Sequence, residues 1–167
     1  MQMPAAPEIH PDNAIVWHDD RLVLLDQRIL PGETRFVACS SAAETARAIT
    51  DMVVRGAPAI GITAAYGVVL AARERFNADS AGWREAVGAD IELLAASRPT
   101  AVNLFWALER MRRLIDALEA PDPVPTLLAE ARKIHEEDVA ANRAMGDFGA
   151  ELIQGRTDVI THCNAGA

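Results

Sequence analysis

Cysteine is almost absent from this chain. Cys39 and Cys163 are its two thiols, far apart and in no CxxC pair, which argues against a disulfide framework and against a zinc site. Each is a core thiol or a reactive one. Basic residues are also scarce: 16 Lys and Arg against 24 Asp and Glu leave a net charge of −8. Such a balance disfavours a protein that works by gripping nucleic acid or an anionic membrane. A small ligand is the expected partner. The opening MQMPAAPEIHP has no basic segment followed by an apolar run, so no secretion signal is read there. The uncharged stretch from Ala57 to Ala72 falls short of the roughly 20 residues a spanning helix needs. A cytoplasmic location is therefore expected. What is present is 167 residues, 50% of them hydrophobic, enough for one compact core or for a small domain and the start of another.

The chain is organised around RGAPAIG, residues 55–61. Gly56 can take the positive φ of a tight reversal, and Pro58 suits the first turn of a helix, where its missing N–H costs nothing. The helix that follows carries no charge from Ala57 to Ala72 and is expected to be buried all round, with Gly61, Ala64, Ala65, Gly67 and Ala71 admitting close neighbours. Its N-terminus, with free N–H groups and a positive dipole end beside Arg55, has the makings of an anion site. The alternative is a helix start whose arginine pairs with a surface carboxylate.

Ahead of this turn, AIVWH (14–18), Asp19-Asp20 and RLVLLDQ (21–27) read as a β-hairpin, and TRFVACS supplies a third strand after Pro31-Gly32. Ser41 and Glu44 form a capping box for a helix running to about Val54. Behind it, a helix is expected from Ser80 or Ala81 to Ser97, stopped by Pro99. Thr100 is expected to cap the next, whose apolar positions run from Leu104 to Leu118 with Arg110, Arg112 and Arg113 mostly solvated. After the Pro-rich APDPVP (120–125), a long helix from Thr126 to about Gln154 has an inward stripe of Leu127, Ala131, Ile134, Met145 and Ile153. Asp138 and Asn142 lie near that stripe, as hydrogen-bonded polar groups or as functional ones.

Gly155 ends this helix, and TDVITHC (157–163) reads as a buried strand leading into the loop NAGA. A lone parallel strand needs a crossover and a second strand, so residues 156–167 are expected to open a second, truncated domain after an N-terminal domain of residues 1–155. Ligands gather at the carboxyl ends of strands in open α/β sheets, which is where Cys163 and Asn164 would stand. That position favours a functional thiol over an inert one. His162 faces the opposite way along the strand and is assigned to packing or hydrogen bonding, while His10, His18 and His135 have no role. Arg98 repeats the context of Arg55, an arginine at a turn just before a helix, with proline close behind. Taken singly it is a solvated arginine; with Arg55 it makes two guanidinium forks, suited to a phosphate of about −1.5 to −2 charge.

Together RGAPAIG (55–61), SRPTAVNLFWAL (97–108) and THCNAG (161–166), with LLDQRILPGE (24–33) and GAELI (149–153), resemble the methylthioribose-1-phosphate isomerase family of methionine salvage. The resemblance runs through essentially the whole chain in family order. It implies an α/β fold: a small N-terminal domain of short antiparallel β-sheet plus helices, followed by the first strand of a Rossmann-like domain, as in the regulatory subunits of translation initiation factor 2B and ribose-1,5-bisphosphate isomerase. It implies conversion of an aldose 1-phosphate to its ketose, with no cofactor or metal. A homodimer is expected of the intact protein. By resemblance Arg55, Gly56, Ala57 and Arg98 bind the phosphate end, Cys163 is the catalytic cysteine, and the partner acid is an aspartate beyond Ala167. The 167 residues alone are accordingly expected to be inactive. Ribose-1,5-bisphosphate isomerase and a non-catalytic initiation-factor subunit are the competing readings.

Overall fold

A computed structural model describes residues 13–153 together with Gly155, Asp158 and Ile160. Three strands come first: β1 (Ile15–His18), β2 (Arg21–Leu25) and β3 (Phe36–Cys39) form an antiparallel sheet in the order β1-β2-β3. Asp19 and Asp20 both take positive φ, 47° and 58°, and close the hairpin as the two central residues of a primed turn. The register pairs Ile15 with Leu24, Trp17 with Leu22, and Leu22 with Cys39. These alternate positions all enter the main core, following the two-residue period of a strand.

Between β2 and β3 the chain is pinned by one buried carboxylate. Asp26 has 0% of its side chain exposed and accepts from Arg28 Nε at 2.7 Å, Arg28 Nη2 at 2.8 Å and Arg35 Nη2 at 3.1 Å. The Arg28 guanidinium, with Arg35 behind it, holds the Asp26 carboxyl well below the usual carboxylate range despite its burial. A folded-state pKa below the unfolded one contributes stability that is fully present above pH ~4 and is lost as pH falls towards the folded value. Because Arg28 and Arg35 are about half in solvent, screening keeps the contribution modest. Asp26→Asn is expected to cost roughly 1–2 kcal/mol at pH 7 and to flatten the acid limb. Urea midpoints at pH 7 and pH 3 check this; equal acid losses in both proteins would show that Asp26 is not the titrating group.

Five helices follow: α1 (Ala42–Thr50), α2 (Ala57–Ala78), α3 (Trp83–Ala96), α4 (Val102–Ala117) and α5 (Val124–Leu152). Helix α2 is the axis of the domain. Ile60 through Ala72 are buried without interruption, and α1, α3, α4 and α5 all pack on it, with β1 and β2 against the same helix. The α/β architecture expected from the sequence is therefore present in the described residues.

Several boundaries differ from expectation, each for a local reason. Ser41 Oγ accepts from Glu44 N at 3.2 Å as expected, but the Glu44 carboxylate caps Ser40 N at 2.6 Å, one residue upstream of the usual partner. Helix α1 stops at Thr50 rather than near Val54. Met52 N donates to Ile49 O and Val53 N to Ala48 O, a Schellman closure with Met52 at φ 59° in the place glycine usually takes. Helix α3 begins at Trp83, later than expected, because Asp79 Oδ1 accepts from Ala81 N and turns the chain first. Helix α5 begins at Val124, with Pro125 inside its first turn.

The expected inward stripe of α5 is only half right. Leu127, Ala131 and Ile134 are buried, whereas Met145 and Ile153 are exposed, as are Phe148 and Leu152. The first half of the helix packs on the core, and its second half extends beyond the elements described. Of the buried strand expected at 157–163, Asp158 and Ile160 are described, and they depart from it: neither is in a strand, and Ile160 is 96% exposed, while His162, Cys163 and Asn164 lie outside the described residues.

Candidate functional site

Gly56 is the N-cap of α2, with φ 96° and ψ 132°. A side chain would strain this conformation, so glycine is what lets the chain reverse from Val54 into the helix. Ile60 N donates to Gly56 O at 3.0 Å and closes the first turn, in which Pro58 sits. No side chain caps α2, leaving the Ala57 end of the helix open. Arg55 and Ala57 are exposed.

Arg98 is half-buried in the turn ahead of α4. Its carbonyl accepts from Ala101 N at 3.0 Å, and that turn puts Ala101, not Thr100, at the N-cap. The expected Thr100 cap is thus replaced by a backbone turn, and no side chain caps α4 either. Among the described residues neither Arg55 nor Arg98 has an ion pair or a side-chain hydrogen bond. The other reading of Arg55, pairing with a surface carboxylate, finds no carboxylate here.

The two helix starts meet. A Cβ added at Gly61 would stand 2.7 Å from the Asn103 carbonyl oxygen, closer than such atoms approach, so the first turns of α2 and α4 touch main chain to main chain. Arg55, Gly56 and Ala57 therefore lie at the same end of the α2–α4 pair as Arg98. Two uncapped helix N-termini and two unpaired guanidinium groups at one end form an arrangement suited to a doubly charged oxyanion.

Beside these helix starts lies a cleft of about 380 Å³, within the range of small-ligand sites. Pro58, Gly61 and Ile62 line it from α2, Val102, Asn103 and Trp106 from α4, and Ile134 and Asp138 from α5. Trp106 is 50% exposed yet is not loose: the Arg110 guanidinium lies 5.4 Å from its ring centroid. Arg110 is bonded in turn to Glu130 and Glu137 of α5 and is raised further above its ordinary pKa, chiefly by Glu137. The solvated Arg110 expected from the sequence is instead a clamp between α4 and α5. Asp138 is joined by Asn142, whose Nδ2 donates to its Oδ2 at 3.2 Å and to its carbonyl at 2.9 Å. Sequence reasoning missed Asn103, Trp106 and Arg110 as a group. The four-residue spacing of Trp106 and Arg110 was the available signal.

Of the two thiols, Cys39 is structural. It is 1% exposed in β3 and its pKa is pushed up to about 11, chiefly by burial, which leaves no thiolate at neutral pH. Cys163 lies outside the described residues. Among those described, no cluster of His, Cys, Asp and Glu is placed to hold a metal ion, and no helix is long and apolar enough to cross a membrane.

A family model described as the initiation factor 2 subunit family matches residues 53–167, the part of the chain that contains both helix starts. The chain belongs to this family. Within it, the methylthioribose-1-phosphate isomerase of Methylococcus capsulatus is 59% identical over 154 residues, covering 92% of this chain and 44% of that protein. The isomerase of the same name from Alkalilimnicola ehrlichii is 56% identical over the same coverage. The chain thus spans less than half the length of the curated relatives it matches. Among solved structures, 5-methylthioribose 1-phosphate isomerase from Pyrococcus horikoshii superposes with a TM-score of 0.78 at 37% identity, covering 84% of this chain and 40% of that one. The delta subunit of translation initiation factor eIF-2B from A. fulgidus gives 0.77 at 44% identity, covering 84% and 42%. This domain is therefore shared by members of the family that carry quite different names.

Proposed function

We propose that the whole protein isomerises 5-methylthioribose 1-phosphate to 5-methylthioribulose 1-phosphate. The observation that carries this reading is the 59% identity to a relative bearing that name, across 92% of the chain. Residues 1–155 would form the β plus helical domain and residues 156–167 the first strand of a Rossmann-like domain, in a cytoplasmic homodimer working without cofactor.

The chemistry asks for what the helix starts offer. Phosphate on the anomeric oxygen blocks ordinary ring opening, so the ring oxygen must be protonated, a hydrogen moved from C2 to C1, and water kept out. Arg55, Arg98 and the Ala57 end of α2 would hold the phosphate, two forks and a dipole against about two negative charges. Cys163 would stabilise the transition state or shuttle the proton.

The non-catalytic reading has one observation in its favour, the close superposition on the eIF-2B delta subunit. Turnover separates the two. The whole protein should convert the methylthio sugar to its ketose, followed by NMR of C1 and C2, and should favour it over ribose 1,5-bisphosphate. A protein that binds the sugar phosphate without converting it would be an assembly subunit, and a preference for the bisphosphate would reassign the substrate.

A further inference from the structure

We propose that Gln27 is a positioning residue for the Arg55 turn: its side-chain amide donates to the Val54 carbonyl once a phosphate is seated at the start of α2, and so holds Arg55 and Gly56 against it. This rests on the isomerase reading above and adds to it the residue that ties the phosphate anchors to the β-sheet side of the domain.

A buried polar side chain without a partner is costly to keep, and native proteins keep few of them. Among the described residues three such atoms lack a hydrogen-bond partner: His18 Nδ1, Gln27 Nε2 and Thr63 Oγ1. His18 still has about a third of its side chain in solvent, and the Thr63 hydroxyl lies along α2 itself. Gln27 belongs to neither case. It is 5% exposed, stands just after β2, and its main-chain N–H donates to Val53 O at 2.9 Å. Its amide has given up rotamer freedom and hydration and receives no bond in exchange in this conformation.

The matching acceptor is one residue further on. Val54 is 1% exposed, and its carbonyl accepts no main-chain hydrogen bond among the described residues. The residue four places ahead, whose N–H would serve it in a helix, is Pro58 and has none. A buried donor and a buried acceptor therefore stand on two segments already joined at Gln27 and Val53, yet are not joined to each other. Successive Cα atoms are about 3.8 Å apart, a step that a glutamine side chain can span.

Of the two segments, the one after β2 is the fixed one. Asp26 N donates to Arg35 O at 2.8 Å, and the buried Asp26 carboxylate is held by Arg28 and Arg35. Val54 leads directly into Arg55, exposed and unpaired, and Gly56, the uncapped start of α2. An anion that draws in the Arg55 guanidinium pulls on this turn, and the Gln27 to Val54 bond then fixes it in the drawn-in position. The phosphate thus completes a hydrogen bond it does not touch, and the two events favour each other.

The test uses the whole protein, with calorimetry of inorganic phosphate binding as one arm and turnover of 5-methylthioribose 1-phosphate as the other. Gln27→Met keeps the length of the side chain and removes the amide. It should weaken phosphate binding and raise KM by about 3- to 10-fold, the effect of one neutral hydrogen bond, with kcat nearly unchanged. Its Tm should equal or exceed that of the parent, because an unpaired buried amide has gone; Gln27→Leu should give the same readings. In an Arg55→Ala background Gln27→Met should have no further effect on phosphate binding, as for a residue that acts through Arg55. Thr63→Val, which removes the orphaned atom of α2, should leave phosphate binding as it was. The assignment is overturned if Gln27→Met and Gln27→Leu leave phosphate binding intact, if their effect adds in full to that of Arg55→Ala, or if Thr63→Val weakens binding equally. Phosphate binding that responds to Gln27→Met in a protein that converts no sugar would remove the isomerase reading and keep this one. A parent protein that binds no phosphate would remove the role of Gln27 whatever its turnover.

Discussion

Arg55→Ala is expected to lower kcat/KM for the sugar phosphate by roughly 10²-fold or more, with KM raised. Arg55 is exposed at the turn into α2 and has no carboxylate partner among the described residues, so its removal breaks nothing that holds the fold. The loss would fall on the ligand alone. Charge is only part of the effect: Arg55→Lys keeps the positive charge but replaces a planar fork by a point donor, and should recover a fraction of the activity. Thermal stability should stay within a degree or two of the parent in both variants, as for surface substitutions generally. Unchanged steady-state kinetics in both would remove the anion site from this end of the molecule.

Cys163→Ser in the whole protein should reduce kcat by roughly 10²–10⁴-fold, the range in which a positioned proton-transferring group contributes. Serine is close to cysteine in size, but its hydroxyl is far less acidic and less nucleophilic than a thiol. A catalytic thiol therefore loses rate and keeps stability. A packing thiol does the reverse, and Cys39 provides the internal control: buried in β3 with its pKa raised to about 11, it should lose stability on conversion to serine and leave kcat nearly untouched. Normal turnover in Cys163→Ser together with a lowered Tm would return Cys163 to the packing class.

The legible features of this fold were those written in local chemistry. Two aspartates between β-rich arms announced the hairpin, because aspartate tolerates positive φ. The absence of charge from Ala57 to Ala72 announced a helix buried on every side. Where the reading failed, a backbone interaction had taken the place of a side-chain signal. Helix α1 is closed by Met52 in a position where glycine is the usual marker, and α4 by the Arg98 carbonyl where Thr100 offered a hydroxyl. Met145 and Ile153 kept helical spacing but found no partner among the described residues, since periodicity reports a face and not what covers it. The cleft was illegible for a related reason. Which helix ends meet is a property of packing: the contact of Gly61 with Asn103 joins α2 to α4, and the packing of α5 on both brings Trp106 and Asp138 to one space.

That contact also bears on how the protein can change over time. Side-chain contacts between helices shift whenever a core residue drifts in size, and the helices shift with them. Gly61 meets a carbonyl oxygen that every residue at position 103 would carry. The gap between the starts of α2 and α4 is therefore set chiefly by main-chain atoms, which a substitution at Asn103 leaves in place. The surrounding core is free to exchange one aliphatic residue for another without retuning the ends of these two helices. The position that carries this tolerance for the rest is Gly61, where even one added methyl would force them apart.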